Sequence, residues 1–171
     1  MIFAGPCLYT DLSEHDEILT TARALKDIGV DMFRLKLWGG GTMPDRYFPG
    51  VGNSGFDTML EAKKYIPVGT EIQVTEQFYE SVEMLGGWDT ASIFDYVWVG
   101  ARNSSNYAVR KMLNDYQIPW ALKRGANMSV EKLMGAYDID RPTWVIERGV
   151  DALYQPDNAP FMPDPKGVIR I

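Results

Sequence analysis

The sequence has 171 residues, of which 46% are hydrophobic and 23% are charged, a composition typical of one globular domain and not of a disordered chain. The net charge of −6 excludes a broadly basic surface, so we expect neither nucleic acid nor an acidic membrane as a partner. No stretch reaches the roughly 18 apolar residues of a membrane span, no basic leader follows Met1, and Cys7 is the only cysteine. We therefore expect a cytoplasmic or other intracellular protein without a signal peptide.

Short apolar runs alternate with helical patterns along most of the chain. In the first helix, Ser13 is a good N-cap and Gly29 a natural C-cap. The predicted strands are 2–7, 31–38, 70–75 (ending in Glu76), 96–100, 119–123 and 143–146. The predicted helices are 13–28, 56–65, 80–85, 107–116 and 129–137, the last capped by Ser129.

The alternation of strands and helices with short connections predicts an α/β fold with a parallel sheet. We expect about six parallel strands in an incomplete TIM-type (β/α) barrel over residues 1–150. The proline-rich residues 151–171 form an irregular tail that could be a covering strand or an interface arm. The long segment 39–55, which opens with Gly39-Gly40-Gly41, is predicted to be a flexible loop rather than a phosphate cradle.

Three of the predicted strands lead into a short segment that contains a cation and a glycine. Arg102, Lys123 and Arg148 follow the fourth, fifth and sixth strands, and in a parallel α/β barrel such ends converge on one spot. Arg and Lys both suit phosphate and carboxylate groups, so the pattern predicts a site for a small anion. The alternative is that these cations pair with internal carboxylates such as Glu76 or Glu147.

Five short motifs support a more specific interpretation. They are Ala4-Gly5-Pro6-Cys7, Val74-Thr75-Glu76, Val99-Gly100-Ala101-Arg102-Asn103, Leu122-Lys123-Arg124-Gly125 and Glu147-Arg148-Gly149. In order and spacing, from Phe3 to Val150, this set resembles the 3-deoxy-7-phosphoheptulonate (DAHP) synthase family. It is similar, more distantly, to 3-deoxy-octulosonate-phosphate synthase. The resemblance implies a (β/α)8 barrel that condenses phosphoenolpyruvate with erythrose 4-phosphate, an aldose phosphate, usually with a divalent metal.

The resemblance also implies roles for single residues. Glu76 is expected beside the reacting carbon or its water, and otherwise as the counter-ion of the cations. Cys7 is expected as a metal ligand, and otherwise as a small buried side chain. Arg124 is either an anion ligand or a side chain that faces outward or clasps a helix. The implied anion-binding set is Arg34, Arg102, Lys123, Arg124 and Arg148.

Three departures from the family pattern bear on activity. The family carries a Lys-Pro-Arg-Thr run with a catalytic lysine where this chain has Gly39-Gly40-Gly41-Thr42, and the nearby Lys36 lies within a predicted strand. The family's histidine metal ligand has no counterpart, because the only histidine is His15, which we predict to be a solvated residue of the first helix. The sequence also ends where strand seven of the barrel, typically about 250 residues long, is expected.

These features leave three functional hypotheses open. The first is a DAHP-synthase-like protein that has lost catalysis and serves as a binding or assembly subunit, without a cofactor. It would form a homo-oligomer or dock to another protein through open barrel edges, and could retain a phosphoenolpyruvate-like anion pocket. The alternative is an active synthase with Lys36 and Glu76 as catalytic residues, a divalent metal, and a partner chain that completes the site. The third is a sensor of phosphoenolpyruvate or a similar small anion.

Overall fold

The structure is a computed structural model that describes residues 1–39, 49–87, 93–125, 128–140 and 142–147. The chain divides into two compact units, Met1–Val97 and Trp98–Ile171. Most of the predicted glycine-rich loop (40–48), the predicted ligand Arg148 and the predicted tail (151–171) lie outside the described residues.

The described residues form six strands that alternate with five α-helices. The strands are β1 (Phe3–Ala4), β2 (Met32–Arg34), β3 (Val68–Glu71), β4 (Tyr96–Val99), β5 (Trp120–Lys123) and β6 (Trp144–Ile146). The helices are α1 (His15–Asp27), α2 (Phe56–Ala62), α3 (Thr75–Met84), α4 (Tyr107–Asp115) and α5 (Val130–Asp140). The strands are parallel and follow the order β1-β2-β3-β4-β5-β6, which confirms the predicted α/β fold of an incomplete TIM-type barrel. In this part of the chain no helix is long and apolar enough to cross a membrane.

In the first unit, β2 and its continuation have one apolar face and one charged face. Phe33, Leu35 and Leu37 have no exposed surface. Arg34 and Lys36, which alternate with them, are half-buried. Since successive side chains of a strand point to opposite faces, the two cations share one face.

Helix α1 begins differently from the prediction. A 3-10 turn, Leu12–Glu14, precedes it, and the carboxylate of Asp11 caps this turn by accepting the Ser13 N–H at 2.8 Å. This hydrogen bond lowers the pKa of Asp11, because it stabilises the charged form. Ser13 as the N-cap is therefore wrong, since an earlier acidic side chain takes that place. At the other end Gly29, with φ of +84°, donates to the Lys26 carbonyl at 3.0 Å, which confirms Gly29 as the residue that terminates the helix.

The third strand ends earlier, and the next helix begins earlier, than predicted. Strand β3 stops at Glu71, and α3 starts at Thr75 rather than near residue 80, so Glu76 lies in the first helical turn. The physical reason is the side chain of Gln77, whose Oε1 accepts the Gln73 N–H at 2.8 Å just before the helix. A side chain that reaches back in this way satisfies a backbone donor at the helix start.

In the second unit, the elements begin close to where the sequence predicts them. Strands β5 and β6 pair in parallel, with Leu122 opposite Val145. Asn106 caps α4 through its side-chain oxygen. The Ser129 hydroxyl accepts a backbone N–H of the first turn of α5 at 3.2 Å, as expected for the predicted cap.

Candidate functional site

An ion pair joins the C-terminal ends of β2 and β3. Lys36 Nζ lies 2.9 Å from Glu71 Oε2, and only 15% and 11% of the two side chains are exposed. The backbone is fixed at this point, because the Tyr9 N–H donates to the Lys36 carbonyl at 2.9 Å. Both charges have lost most of their water, and the ion pair offsets part of that cost.

Arg34 and Tyr96 lie close to this pair in the same unit. Arg34 stands opposite Gly69 of β3 in the parallel register. The ring of Tyr96 packs against Gly69, where a Cβ would be 2.5 Å from a ring carbon, and the Tyr96 hydroxyl donates to the Phe33 carbonyl at 3.3 Å. Burial raises the pKa of Tyr96, while the positive charge of Arg34 acts in the opposite direction. Tyr96 is therefore a neutral phenol at physiological pH.

The dipeptide Thr-Glu occurs twice in the sequence, at 70–71 and at 75–76. Glu71 is buried at the end of β3, whereas Glu76 is exposed in the first turn of α3 and accepts the Thr75 hydroxyl at 3.1 Å. The prediction that Glu76 stands at the end of strand three is therefore wrong, because that position belongs to Glu71. Sequence reasoning missed Glu71 as a candidate site residue.

Cys7 follows β1 and is exposed, so its interpretation as a small buried side chain is wrong. The chain reaches this point past Gly5, where a Cβ would lie 2.2 Å from the Arg34 carbonyl oxygen, so only glycine fits there. A thiolate that ligates a divalent metal needs about three companions in fixed geometry. In the described ranges no three His, Cys, Asp or Glu side chains come together as a metal site. Among the described residues, Cys7 therefore lacks the companions that the divalent metal of the resemblance needs, and we derive no step through a metal.

In the second unit, β4 leads directly into a turn that carries Arg102. The turn is a 3-10 helix, Ala101–Asn103, in which Ala101 is buried and Arg102 is exposed. Arg110 of α4 supports the turn, since its Nη1 donates to the Ser104 carbonyl at 3.2 Å. The guanidinium of Arg102 is thus presented to solvent from an anchored turn.

The end of β5 carries two adjacent cations with different surroundings. Lys123 is half-buried, whereas the side chain of Arg124 is only 4% exposed. Arg124 Nε donates to the Met128 carbonyl at 2.8 Å, and its Nη1 lies 2.9 Å from Glu147 Oε2. The outward-facing interpretation of Arg124 is therefore wrong, because the guanidinium is enclosed between the approach to α5 and the end of β6.

The structure groups the predicted anion ligands by unit. Arg34 belongs to the first unit, with Lys36. Arg102 and Lys123 belong to the second, at the C-terminal ends of β4 and β5, which are neighbours in the sheet order. Because the strands are parallel, these two cations lie at the same end of the sheet, where the strands have their C-termini.

His15 takes part in contacts that the sequence did not indicate. It is half-buried rather than fully solvated, with Nδ1 2.8 Å from the Thr58 hydroxyl and Nε2 3.6 Å from Glu61 Oε2. The Thr58 hydroxyl also lies 3.1 Å from the hydroxyl of Tyr9. This network links α1 to α2 across more than 40 positions, a distance over which a local pattern carries no signal.

Comparison with known proteins gives a consistent result. The sequence model of the DAHP synthetase I family matches residues 1–139. Phospho-2-dehydro-3-deoxyheptonate aldolase of Thermotoga maritima is 28% identical over 137 residues, which are 78% of this chain and 36% of that protein.

Two solved structures from Thermotoga maritima share the fold. The crystal structure of phospho-2-dehydro-3-deoxyheptonate aldolase (DAHP synthase) matches 99% of this chain and 46% of its own, with a TM-score of 0.76 and 24% identity. A truncated form of 3-deoxy-D-arabino-heptulosonate 7-phosphate synthase matches 99% of this chain and 58% of its own, with a TM-score of 0.72 and 26% identity. The chain thus spans between about a third and three fifths of the length of these relatives. Because the family model matches 139 of 171 residues, the chain belongs to the DAHP synthetase I family.

Proposed function

We propose that this chain binds a small phosphorylated carboxylate of the phosphoenolpyruvate type and does not catalyse the family's condensation on its own. The observation that carries the proposal is the placement of Arg102 and Lys123 at the C-terminal ends of the neighbouring strands β4 and β5. Two cations at that edge suit a ligand with separate phosphate and carboxylate groups. Family membership supports the same ligand class.

The charge of the whole protein favours a small ligand over a large one. With a net charge of −6, a polyanion would be repelled by the surface around a local cationic site. A compact dianion or trianion carries less charge than a polyanion and is repelled less by that surface. Arg148 remains part of the proposed set, although it lies outside the described residues.

The ion pair of Lys36 supports the proposal that this chain lacks catalysis of its own. In the family, a loop lysine is expected to act on the second substrate. In this chain, the nearby Lys36 is the candidate to replace it. Its ammonium is engaged with Glu71 at 2.9 Å and is only 15% exposed. A lysine held this way must give up its contact with Glu71 before it can reach a second substrate.

Calorimetry with phosphoenolpyruvate, pyruvate and inorganic phosphate tests the binding proposal. We expect phosphoenolpyruvate to bind more tightly than either fragment, and Arg102→Ala or Lys123→Ala to weaken it by roughly tenfold or more. Lys111→Ala, which removes an exposed cation paired with Asp115, is the matched control and leaves the affinity unchanged. Absence of binding at millimolar phosphoenolpyruvate, or full affinity in both site variants, would sink the proposal.

A turnover assay tests the second half of the proposal. With phosphoenolpyruvate, erythrose 4-phosphate and a divalent metal present, we expect no phosphate release above background from this chain alone. Metal-stimulated turnover by the purified chain contradicts this expectation.

The second candidate function is an active aldol-type synthase whose site a partner chain completes. The observation in its favour is the same Lys36–Glu71 pair, since a largely buried ammonium and carboxylate at strand ends are groups that can exchange a proton with a substrate. In this case activity appears only with the partner, and both Lys36→Met and Glu71→Gln abolish it. Unchanged activity of either variant in the complete assembly rejects this candidate.

We also propose that the protein self-associates through its sheet edges. In the strand order of the described residues, β1 and β6 are the terminal strands. Parallel edges are normally paired or covered in proteins. Sedimentation velocity at micromolar concentration is expected to show a homo-oligomer, and a monomer at every concentration tested argues against this proposal.

A further inference from the structure

We infer that Arg124 is a positioning residue, which holds the ends of β5 and β6 together so that Lys123 can bind the anion, and that Arg124 itself does not touch the anion. The inference rests on the proposed function, because it concerns how the chain positions Lys123 at the C-terminal end of β5. It separates two adjacent cations that a sequence pattern treats alike.

The guanidinium of Arg124 makes contacts with two different parts of the chain. Its Nε donates to the Met128 carbonyl at 2.8 Å, and its Nη1 pairs with Glu147 Oε2 at 2.9 Å. The Arg124 backbone N–H also donates to the Ile146 carbonyl at 3.0 Å, which continues the β5–β6 ladder. A guanidinium is planar and presents its donors in a fixed fork. These contacts therefore fix the chain beyond β5 relative to the chain beyond β6.

This fixation also orients Lys123. Lys123 is the last residue of β5, stands opposite Ile146 in the register, and directly precedes Arg124. Side chains of successive extended residues point to opposite sides. With Arg124 enclosed on one side, Lys123 is directed to the other.

The charge balance around Arg124 argues against a direct contact with the anion. The side chains of Arg124 and Glu147 are only 4% and 13% exposed, and they form an ion pair. An anion that bound Arg124 would have to compete with the Glu147 carboxylate, which already lies 2.9 Å from this guanidinium. Lys123, half-buried at the same edge, is the more accessible cation.

The test is phosphoenolpyruvate affinity in the variants Arg124→Gln, Glu147→Gln and the double variant. A positioning role predicts that Glu147→Gln weakens binding about as much as Arg124→Gln, and that the double variant is no weaker than either single variant. Arg124→Lys fails to restore affinity, because a lysine keeps the charge but lacks the fork. If Glu147→Gln keeps or improves the affinity while Arg124→Gln loses it, Arg124 is a ligand and the inference is wrong.

A matched control separates positioning from a general loss of stability. Asn114→Ala removes the 3.1 Å hydrogen bond to the indole N–H of Trp120, at the opposite end of β5. This variant is expected to lower stability but to leave the phosphoenolpyruvate affinity within about twofold of wild type. A tenfold loss of affinity in Asn114→Ala would overturn the inference, since any loss of stability in the second unit would then be enough to weaken phosphoenolpyruvate binding.

A second measurement keeps the inference testable if wild-type protein binds no phosphoenolpyruvate, a result that rejects only the proposed function. The Met128 N–H donates to the Gly125 carbonyl at 2.9 Å in the segment that Arg124 holds. Faster hydrogen exchange of the Met128 amide in both Glu147→Gln and Arg124→Lys, but not in Asn114→Ala, supports the positioning role. Unchanged exchange in both variants overturns it.

Discussion

Lys36 Nζ and Glu71 Oε2 lie 2.9 Å apart at the C-terminal ends of two neighbouring parallel strands, and neither side chain exposes more than 15% of its surface. The two residues are 35 positions apart in sequence, so the pair forms only when β2 and β3 are in register. Removal of either member is costly, because the charge that remains is still buried and has lost this ion pair.

Lys36→Met is therefore expected to lower the free energy of unfolding by about 3 kcal/mol. The double variant Lys36→Met, Glu71→Leu removes both charges and is expected to recover most of that loss. Urea unfolding followed by circular dichroism measures both changes.

The control for this prediction is the exposed pair of Lys111 and Asp115 on α4, whose side chains are more than half exposed. Lys111→Met is expected to cost less than about 1 kcal/mol, because water screens the pair. Equal losses of unfolding free energy in the two lysine variants would show that burial of the Lys36–Glu71 pair is not the cause of the larger expected loss.

The raised pKa of Tyr96 predicts a loss of stability in alkali. Above roughly pH 10, the ordinary value for tyrosine, the unfolded state loses this proton while the folded state keeps it, so stability falls as pH rises. Below that pH the contribution is fully present. Tyr96→Phe is expected to flatten the alkaline slope of the unfolding free energy. An ultraviolet titration of the folded wild type should show a late-titrating tyrosine that is missing in Tyr96→Phe. A slope that is the same in wild type and Tyr96→Phe contradicts this assignment.

Two glycines are expected to respond in opposite ways to alanine. At Gly69 a Cβ would lie 2.4 Å from the Tyr96 carbonyl oxygen, so Gly69→Ala must push β4 away and is expected to cost about 2 kcal/mol or more. At Gly135, inside α5, a Cβ meets nothing within 4 Å, so Gly135→Ala is expected to stabilise by roughly 0.5–1 kcal/mol. Thermal unfolding of the two variants checks both signs, and a stabilised Gly69→Ala would show that the strands tolerate a wider spacing.

Thr58 is expected to be the most sensitive member of the network that joins α1 to α2. Thr58→Val keeps the shape but leaves the buried Tyr9 hydroxyl and His15 Nδ1 without this partner, at an expected cost of about 1–3 kcal/mol. Thr20→Val, an exposed position on α1, is the matched control and should change stability by less than about 0.5 kcal/mol. Similar effects of both substitutions would mean that the network adds nothing beyond helix propensity.

The features that sequence predicts well here are those decided by neighbours along the chain. The apolar run before Lys123 marks β5, Ser129 marks the start of α5, and Gly29 marks the end of α1. Each depends on contacts within a few residues, so the same local signal acts in the sequence and in the folded protein.

Features decided by distant contacts or by competing local signals were not predictable. Glu71 and Glu76 each follow a threonine, and only the reach of Gln77 back to residue 73 shows that the second pair opens a helix. The partners of Arg124 and Lys36 depend on strand register, which the sequence pattern leaves undetermined.

Cys7, exposed just beyond β1, has a practical consequence for observing this protein in solution. It is the only thiol in the sequence, so a maleimide dye attaches at a single defined position without any engineered cysteine. That position adjoins the Arg34 backbone through Gly5. The first unit thus carries a natural attachment point for a fluorescent reporter near the C-terminal end of β2.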